Sequence, residues 1–193
     1  MIITVPNRTL WRQHYKTSCW ISAAHYVLQY LGVNVAITQL EAQYYRPDIN
    51  SAMAMSGAGH PKTIINSYSF DTGRVAKTVS VQDTPKDQII ALIAGNIREG
   101  IPVVASIRSQ QVKGFGHALL ITGINVNSGH IIFKDPGTVN SSNPFAIEVR
   151  SQTYDSFKDG FSYRYAQSMG MNVFAYCSQI TYISDFSEMS LFD

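Results

Sequence analysis

A chain of 193 residues, 45% hydrophobic and 15% charged, is long enough to bury a sizeable core and too apolar to be largely disordered. Its formal net charge of +2 comes with lysines and arginines scattered singly, so neither a nucleic-acid partner nor a membrane partner is expected. No apolar segment approaches the roughly 20 residues that cross a bilayer, and MIITVPNRTLWRQ at the N-terminus lacks the basic start and apolar run of a secretory signal.

The first element lies in QHYKTSCWISAAHYVLQYLG, residues 13–32. Thr17 or Ser18 can cap a helix that begins near Cys19. Trp20, Ala24, Val27, Leu28 and Leu31 recur at helical spacing, and Gly32 stops it. A short second helix is expected to open at Thr38, with Glu41 in the capping-box position. INSAMAMSGAGHPK, residues 49–62, reads as a small-residue loop in which Pro61 suits the start of another short helix. In TPKDQIIALIAGNIREG, residues 84–100, Thr84 is the expected cap, with Pro85 in the first turn and Asp87 in capping-box position. Ile89, Ile90, Ile93 and Ile97 form its apolar stripe, and Gly100 ends it.

After Pro102 the pattern changes to β-branched apolar runs. VVASI, HALLITGI and HIIFKDP read as strands, with NVNSG as the turn between the last two, and VFAYCSQITYI reads as a further strand near the C-terminus. Helices first and strands afterwards predict an α+β fold rather than an alternating parallel one. Residues 1–193 are expected to form one domain, with a helical lobe over about 1–100 and a β lobe over about 101–193.

Cys19 stands where unpaired backbone N–H groups and the helix dipole favour thiolate, the nucleophilic form. Cysteine favours interiors, so position alone leaves a buried packing role as the commoner reading. Gln13, six residues upstream, could join the Cys19 backbone N–H in holding the oxygen of a tetrahedral intermediate; such donors are worth roughly 3–4 kcal/mol each. The only other cysteine is Cys177; a disulfide between the two stays open, and no paired short spacing of cysteine and histidine suggests zinc.

Thiolate chemistry needs a histidine to carry the proton. His25 lies six residues along the same helix and points away from its start, His14 shares the Gln13 loop, and His130 is a further candidate. His60 lies in the small-residue loop and stays open. His117 follows GFG and opens an apolar strand, a rigid mount with an open face. A hairpin centred near Asn127 would set Asp135 opposite Leu119, with His117 its diagonal neighbour on one face at about 7–8 Å. Asp135 could then orient the ring, the third-group logic of a catalytic triad.

Taken together, Gln13, five intervening residues and Cys19-Trp20 at a helix start resemble the nucleophile region of the papain-like cysteine peptidases. IPVVASI, GHALLITGI and IIFKDPG look like the compact bacterial branch, which includes bacteriocin-leader-processing peptidases and secreted pathogen effector peptidases. SQTYDSFKDGF is similar to the segment that follows the acidic residue in that branch and starts a short helix. Trp20-Ile21 depart from the Gly-Pro common after the cysteine in bacteriocin-processing relatives.

The resemblance implies a papain-like fold, with the nucleophile helix facing an antiparallel sheet across a cleft. It makes Cys19 the nucleophile, His117 the general base and acid, Asp135 the orienter and Gln13 the oxyanion donor, with no metal or organic cofactor. The expected activity is hydrolysis of a peptide or isopeptide bond through a thioester, on a protein or peptide substrate. A bacterial toxin or effector delivered by a specialised system fits the same site, with a cognate inhibitor or immunity protein as partner. Deamidation or transglutamination of protein glutamine is the alternative. A non-catalytic peptide-binding module on a peptidase fold is the third reading.

Overall fold

The polypeptide leaves a tight loop at Ser18 and enters helix α1, Cys19–Tyr30, whose first ten residues are all buried. The computed structural model describes residues 1–8, 10, 13–15, 17–45, 60–137, 149–164 and 172–185, excluding the Arg164 side chain. Most of the expected small-residue loop, 49–59, lies outside them. Gly32 ends the helix as expected, at a φ of 81° that side-chain-bearing residues rarely adopt.

Helix α2, Ile37–Tyr44, begins one residue before the expected start. The reason is Gln39, whose Oε1 accepts from the Ala36 backbone N–H at 3.0 Å and caps the end that Thr38 was expected to cap. Glu41 turns inward instead. Helix α3, Pro61–Asn66, starts at the expected proline, and the one-turn helix α4, Ser69–Thr72, follows it. Helix α5, Lys86–Arg98, is capped by extended Pro85 rather than Thr84, while Ile89, Ile93 and Ile97 are buried on its inner face.

Among the described residues, eight strands form one sheet: β1, Ile2–Thr4; β2, Arg74–Ser80; β3, Val103–Ser109; β4, Gly116–Asn125; β5, His130–Lys134; β6, Val149–Thr153; β7, Phe161–Arg164; and β8, Asn172–Asp185. Their order is β2-β8-β3-β4-β5-β6; β1 pairs with β4, β7 pairs with β8, and every pairing is antiparallel. A six-residue helix, α6, Tyr154–Asp159, links β6 to β7 where the family resemblance implied a short helix.

The long apolar run of β4 is explained by burial on both faces. Leu119 and Ile121 join α5, Phe133 and Phe157 in one core cluster. Ala118 and Leu120 join α1, Ile64 and Ile65 in the other. Trp20 belongs to this second cluster and meets Tyr44 of α2 edge to face at 6.4 Å.

The expected hairpin register holds where it matters. Leu120 pairs with Lys134 and Ile121 with Phe133, so Asp135 follows opposite Leu119. Nearer the turn, Asn125 pairs with His130, one residue off the expected centre, and a bulge between Ile121 and Gly123 absorbs the difference.

Candidate active site

The loop before α1 folds on itself so that Cys19 is presented at the helix start. The Tyr15 backbone N–H donates to the Ser18 hydroxyl and that hydroxyl donates back to the Tyr15 carbonyl, each at 3.1 Å. The Ser18 carbonyl then accepts from the N–H groups of Ile21 and Ser22, the first hydrogen bonds of the helix. Cys19 is buried there, 8% exposed.

Opposite it stand His117, the second residue of β4, and Asp135, directly after β5. Their side chains are 1% and 0% exposed, and His117 Nε2 lies 2.7 Å from Asp135 Oδ1. Nε2 is committed to the carboxylate, and Cys19 lies near enough to the ring to raise its pKa. Burial alone would lower the imidazole pKa, but the Asp135 charge and Cys19 outweigh it and raise it to about 10. Burial would likewise keep Asp135 protonated. The His117 charge, its hydrogen bond and those from Tyr163 and the Gly137 N–H outweigh that and hold the carboxyl below its ordinary value.

Gln13 is brought to the same place by the backbone. Its N–H donates to the Pro136 carbonyl at 3.1 Å, tying the nucleophile loop to the segment after Asp135. Its side-chain Nε2 donates to the Tyr15 carbonyl at 2.8 Å, which fixes the amide beside the start of α1. Gly137 sits in the middle: a Cβ there would lie 3.1 Å from His117 Cε1, 3.2 Å from Asp135 Oδ1 and 3.3 Å from Gln13 Oε1. The missing side chain lets three polar groups approach one point.

The remaining histidines have other duties. Nε2 of His25 lies 2.9 Å from the Val35 carbonyl, and burial lowers the pKa of this imidazole. His60, the alternative base, caps α3 by accepting from the Lys62 N–H at 3.2 Å. His14 lies 2.7 Å from Oε2 of the buried Glu41, and His130 is exposed beside Ser128. Cys177 is buried on β8, its thiol pKa raised by burial, and both cysteines are free, which closes the disulfide alternative. Among the described residues, no group of three or more histidine, cysteine, aspartate or glutamate side chains could hold a metal.

Two members of this constellation escape a reading of the sequence. Tyr163 donates its hydroxyl to Asp135 Oδ2, and its ring lies 5.7 Å from that of His117. Gly137 is the other. Nothing in the spacing of the aromatic segment from Phe161 points Tyr163 at Asp135.

No curated protein matches the chain. Among solved structures, the peptidase domain of Streptococcus ComA, a bi-functional ABC transporter involved in a quorum sensing pathway, is similar in fold. That likeness has a TM-score of 0.51 at 14% identity and covers 93% of this chain and 99% of that one. A double glycine motif protease from an AMS/PCAT transporter, in complex with the leader peptide, gives a TM-score of 0.51 at 11% identity, over 96% of this chain and 99% of that one. The model of the Peptidase_C39 like family matches residues 2–169. An antiparallel sheet behind a buried cysteine helix, the shared fold and a family match over most of its length lead to one conclusion: the chain belongs to the Peptidase_C39 like family and is a papain-like cysteine peptidase.

Proposed function

We propose that the chain hydrolyses a peptide bond with Cys19 as nucleophile, His117 as proton carrier, Asp135 as orienter and Gln13 as oxyanion donor. The observation that carries this reading is the buried His117–Asp135 pair at 2.7 Å, with Cys19 beside the same ring. Because the imidazole pKa lies at about 10, the ring is an imidazolium at neutral pH, and such a cation stabilises a thiolate beside it.

The thiolate attacks the substrate carbonyl carbon, forming a C–S bond while the carbonyl electron pair moves onto oxygen. The Cys19 backbone N–H and the Gln13 side-chain amide stabilise that oxyanion. Collapse breaks the C–N bond, and His117 gives its proton to the departing amine. Neutral His117 then takes a proton from water as its oxygen attacks the thioester. The acid product leaves and the thiolate–imidazolium pair is restored. Asp135 keeps its charge throughout and holds the ring in place.

A peptide is the proposed substrate class, supported by the structural neighbour solved with a leader peptide. Residues 1–193 act as one peptidase domain in this reading, supported by strands from both halves pairing in one sheet: β1 with β4, and β2 with β8.

Incubation with a peptide library, read by mass spectrometry for new termini and for ammonia, tests the proposal. Wild type is expected to cleave and Cys19→Ala to lose activity by at least about 10⁴-fold with its fold retained. Cleavage surviving in Cys19→Ala would overturn it. Ammonia without new termini would move the assignment to glutamine deamidation, and an intact library with no ammonia would move it to peptide binding.

A further inference from the structure

Asp135 accepts from three directions: His117 Nε2 and the Gly137 N–H at Oδ1, at 2.7 and 2.8 Å, and the Tyr163 hydroxyl at Oδ2. The first two explain where Oδ1 sits. The third holds Oδ2 and so bears on the rotation of the carboxylate about its own axis.

We propose that Tyr163 is a positioning residue of the active site, donating its hydroxyl to Asp135 Oδ2 so that Oδ1 stays on His117. This rests on the triad reading above and adds a fourth side chain to it. Tyr163 is fully buried on β7, where pairing with Val173 of β8 sets its reach. Phe115 and Phe161 flank its ring at 6.1 and 6.2 Å, so the ring has little room to turn away. A buried hydroxyl with no acceptor is costly, and a phenylalanine would fill the same space without that cost. The tyrosine is therefore better explained by its hydroxyl than by its ring.

Charge supports the same direction of donation. Burial and the neighbouring Asp135 raise the Tyr163 pKa well above its ordinary value, so the hydroxyl keeps its proton and can only donate to a carboxylate. The charged or titratable groups around Asp135 are His117 from β4, Cys19 from α1 beyond that ring, and Tyr163 from β7. The Arg150 guanidinium from β6 stands over the Tyr163 ring at 5.7 Å. A donor to a carboxylate favours its ionised form. Without the tyrosine hydroxyl, Asp135 would hold its proton to higher pH, and His117 would lose its anionic partner under milder acid.

The rate of Cys19 alkylation by iodoacetamide, mapped by mass spectrometry from pH 4 to 9, needs no substrate and reads the pair directly. Wild type, Tyr163→Phe, His117→Ala and Phe115→Leu are compared, with melting curves for each. Tyr163→Phe is expected to slow labelling about tenfold at pH 5 and less than about twofold at pH 8, the loss of one hydrogen bond to a charged group. Phe115→Leu keeps the hydroxyl and is expected to follow wild type. A Tyr163→Phe profile that overlays wild type, or one depressed equally at every pH, overturns the inference while leaving the triad standing. Labelling of wild type that is indifferent to His117→Ala overturns the triad itself. Should Tyr163→Phe not fold, proton spectra of wild type decide: a low-field Tyr163 hydroxyl resonance that moves in Asp135→Asn supports the contact, and its absence refutes it.

Discussion

At His117 and Asp135, two titrations with opposite signs meet in one buried contact. The imidazole pKa rises from an ordinary 6.5 to about 10, so its contribution to stability is fully present below pH 6.5 and is lost as pH rises through about 10. The carboxyl is held below its ordinary 3.8, so its contribution is present above that pH and is lost as pH falls through the lowered value. The pair should therefore stabilise the fold most between about pH 4 and 6.5. The difference in Tm between wild type and His117→Gln is expected to be largest near pH 5.5 and to shrink steadily toward pH 9.5. A difference constant across that range would show that the pair contributes only packing. Cys19, His117, Asp135 and Gln13 can be picked out as the proposed site residues because their local context marks them: a cap before a helix, a glycine before a strand, an aspartate before Pro136. Tyr163 cannot, because its contact with Asp135 spans 28 residues and depends on β7 lying against β8.

The strands show the same contrast at the next scale. β3, β4, β5 and β8 are long or apolar enough to be read directly, whereas β1 has three residues and β6, VRSQT, has no residue fully buried. β2, RVAKTVS, carries two cations among its apolar residues and follows a glycine-ended helical turn, so it reads as part of the helical half. Its place in the sheet comes from β8, whose 14 residues supply a partner along its full length. β1 docks by close approach: a Cβ on Gly123 would lie 2.8 Å from Thr4 Cγ2 and 3.0 Å from the Ile3 carbonyl oxygen. The carbonyl belongs to the backbone and cannot swing aside, so β1 would have to move off β4. Gly123→Ala is expected to destabilise the protein by about 1–3 kcal/mol in urea unfolding. The same substitution in a chain lacking residues 1–4 should cost much less. Equal costs in both backgrounds would place the strain elsewhere.

For the molecule as a whole, the site depends on holding α1 in register with β5, since one carries Cys19 and the other leads into Asp135. Lys134, the last residue of β5, does this from beside the site. Its Nζ donates to Asn7 Oδ1 at 3.1 Å, to the Arg8 carbonyl at 3.4 Å and to the Tyr26 hydroxyl of α1 at 3.2 Å, while also lying 5.5 Å from the Tyr26 ring centre. Tyr26 in turn donates to the Arg8 carbonyl at 3.2 Å and meets the Tyr30 hydroxyl at 3.0 Å, and Tyr30 donates to the Pro6 carbonyl. One lysine thus joins the N-terminal segment, the nucleophile helix and the hairpin strand. Burial lowers its pKa. Lys134→Met preserves the aliphatic stem and removes the three donations, and is expected to lower stability by about 1–3 kcal/mol. If the lysine acts through Tyr26, the cost of Lys134→Met together with Tyr26→Phe will fall short of the sum of the two alone, the mark of a shared contact. Alkylation of Cys19 should also slow in Lys134→Met at pH 7, where His117 keeps its charge, because the distance across the seam and not the protonation of the ring has changed. Additive costs with unchanged alkylation would reduce Lys134 to a surface contact and leave the alignment of α1 with β5 to the apolar packing of Leu120 and Ala118 against that helix.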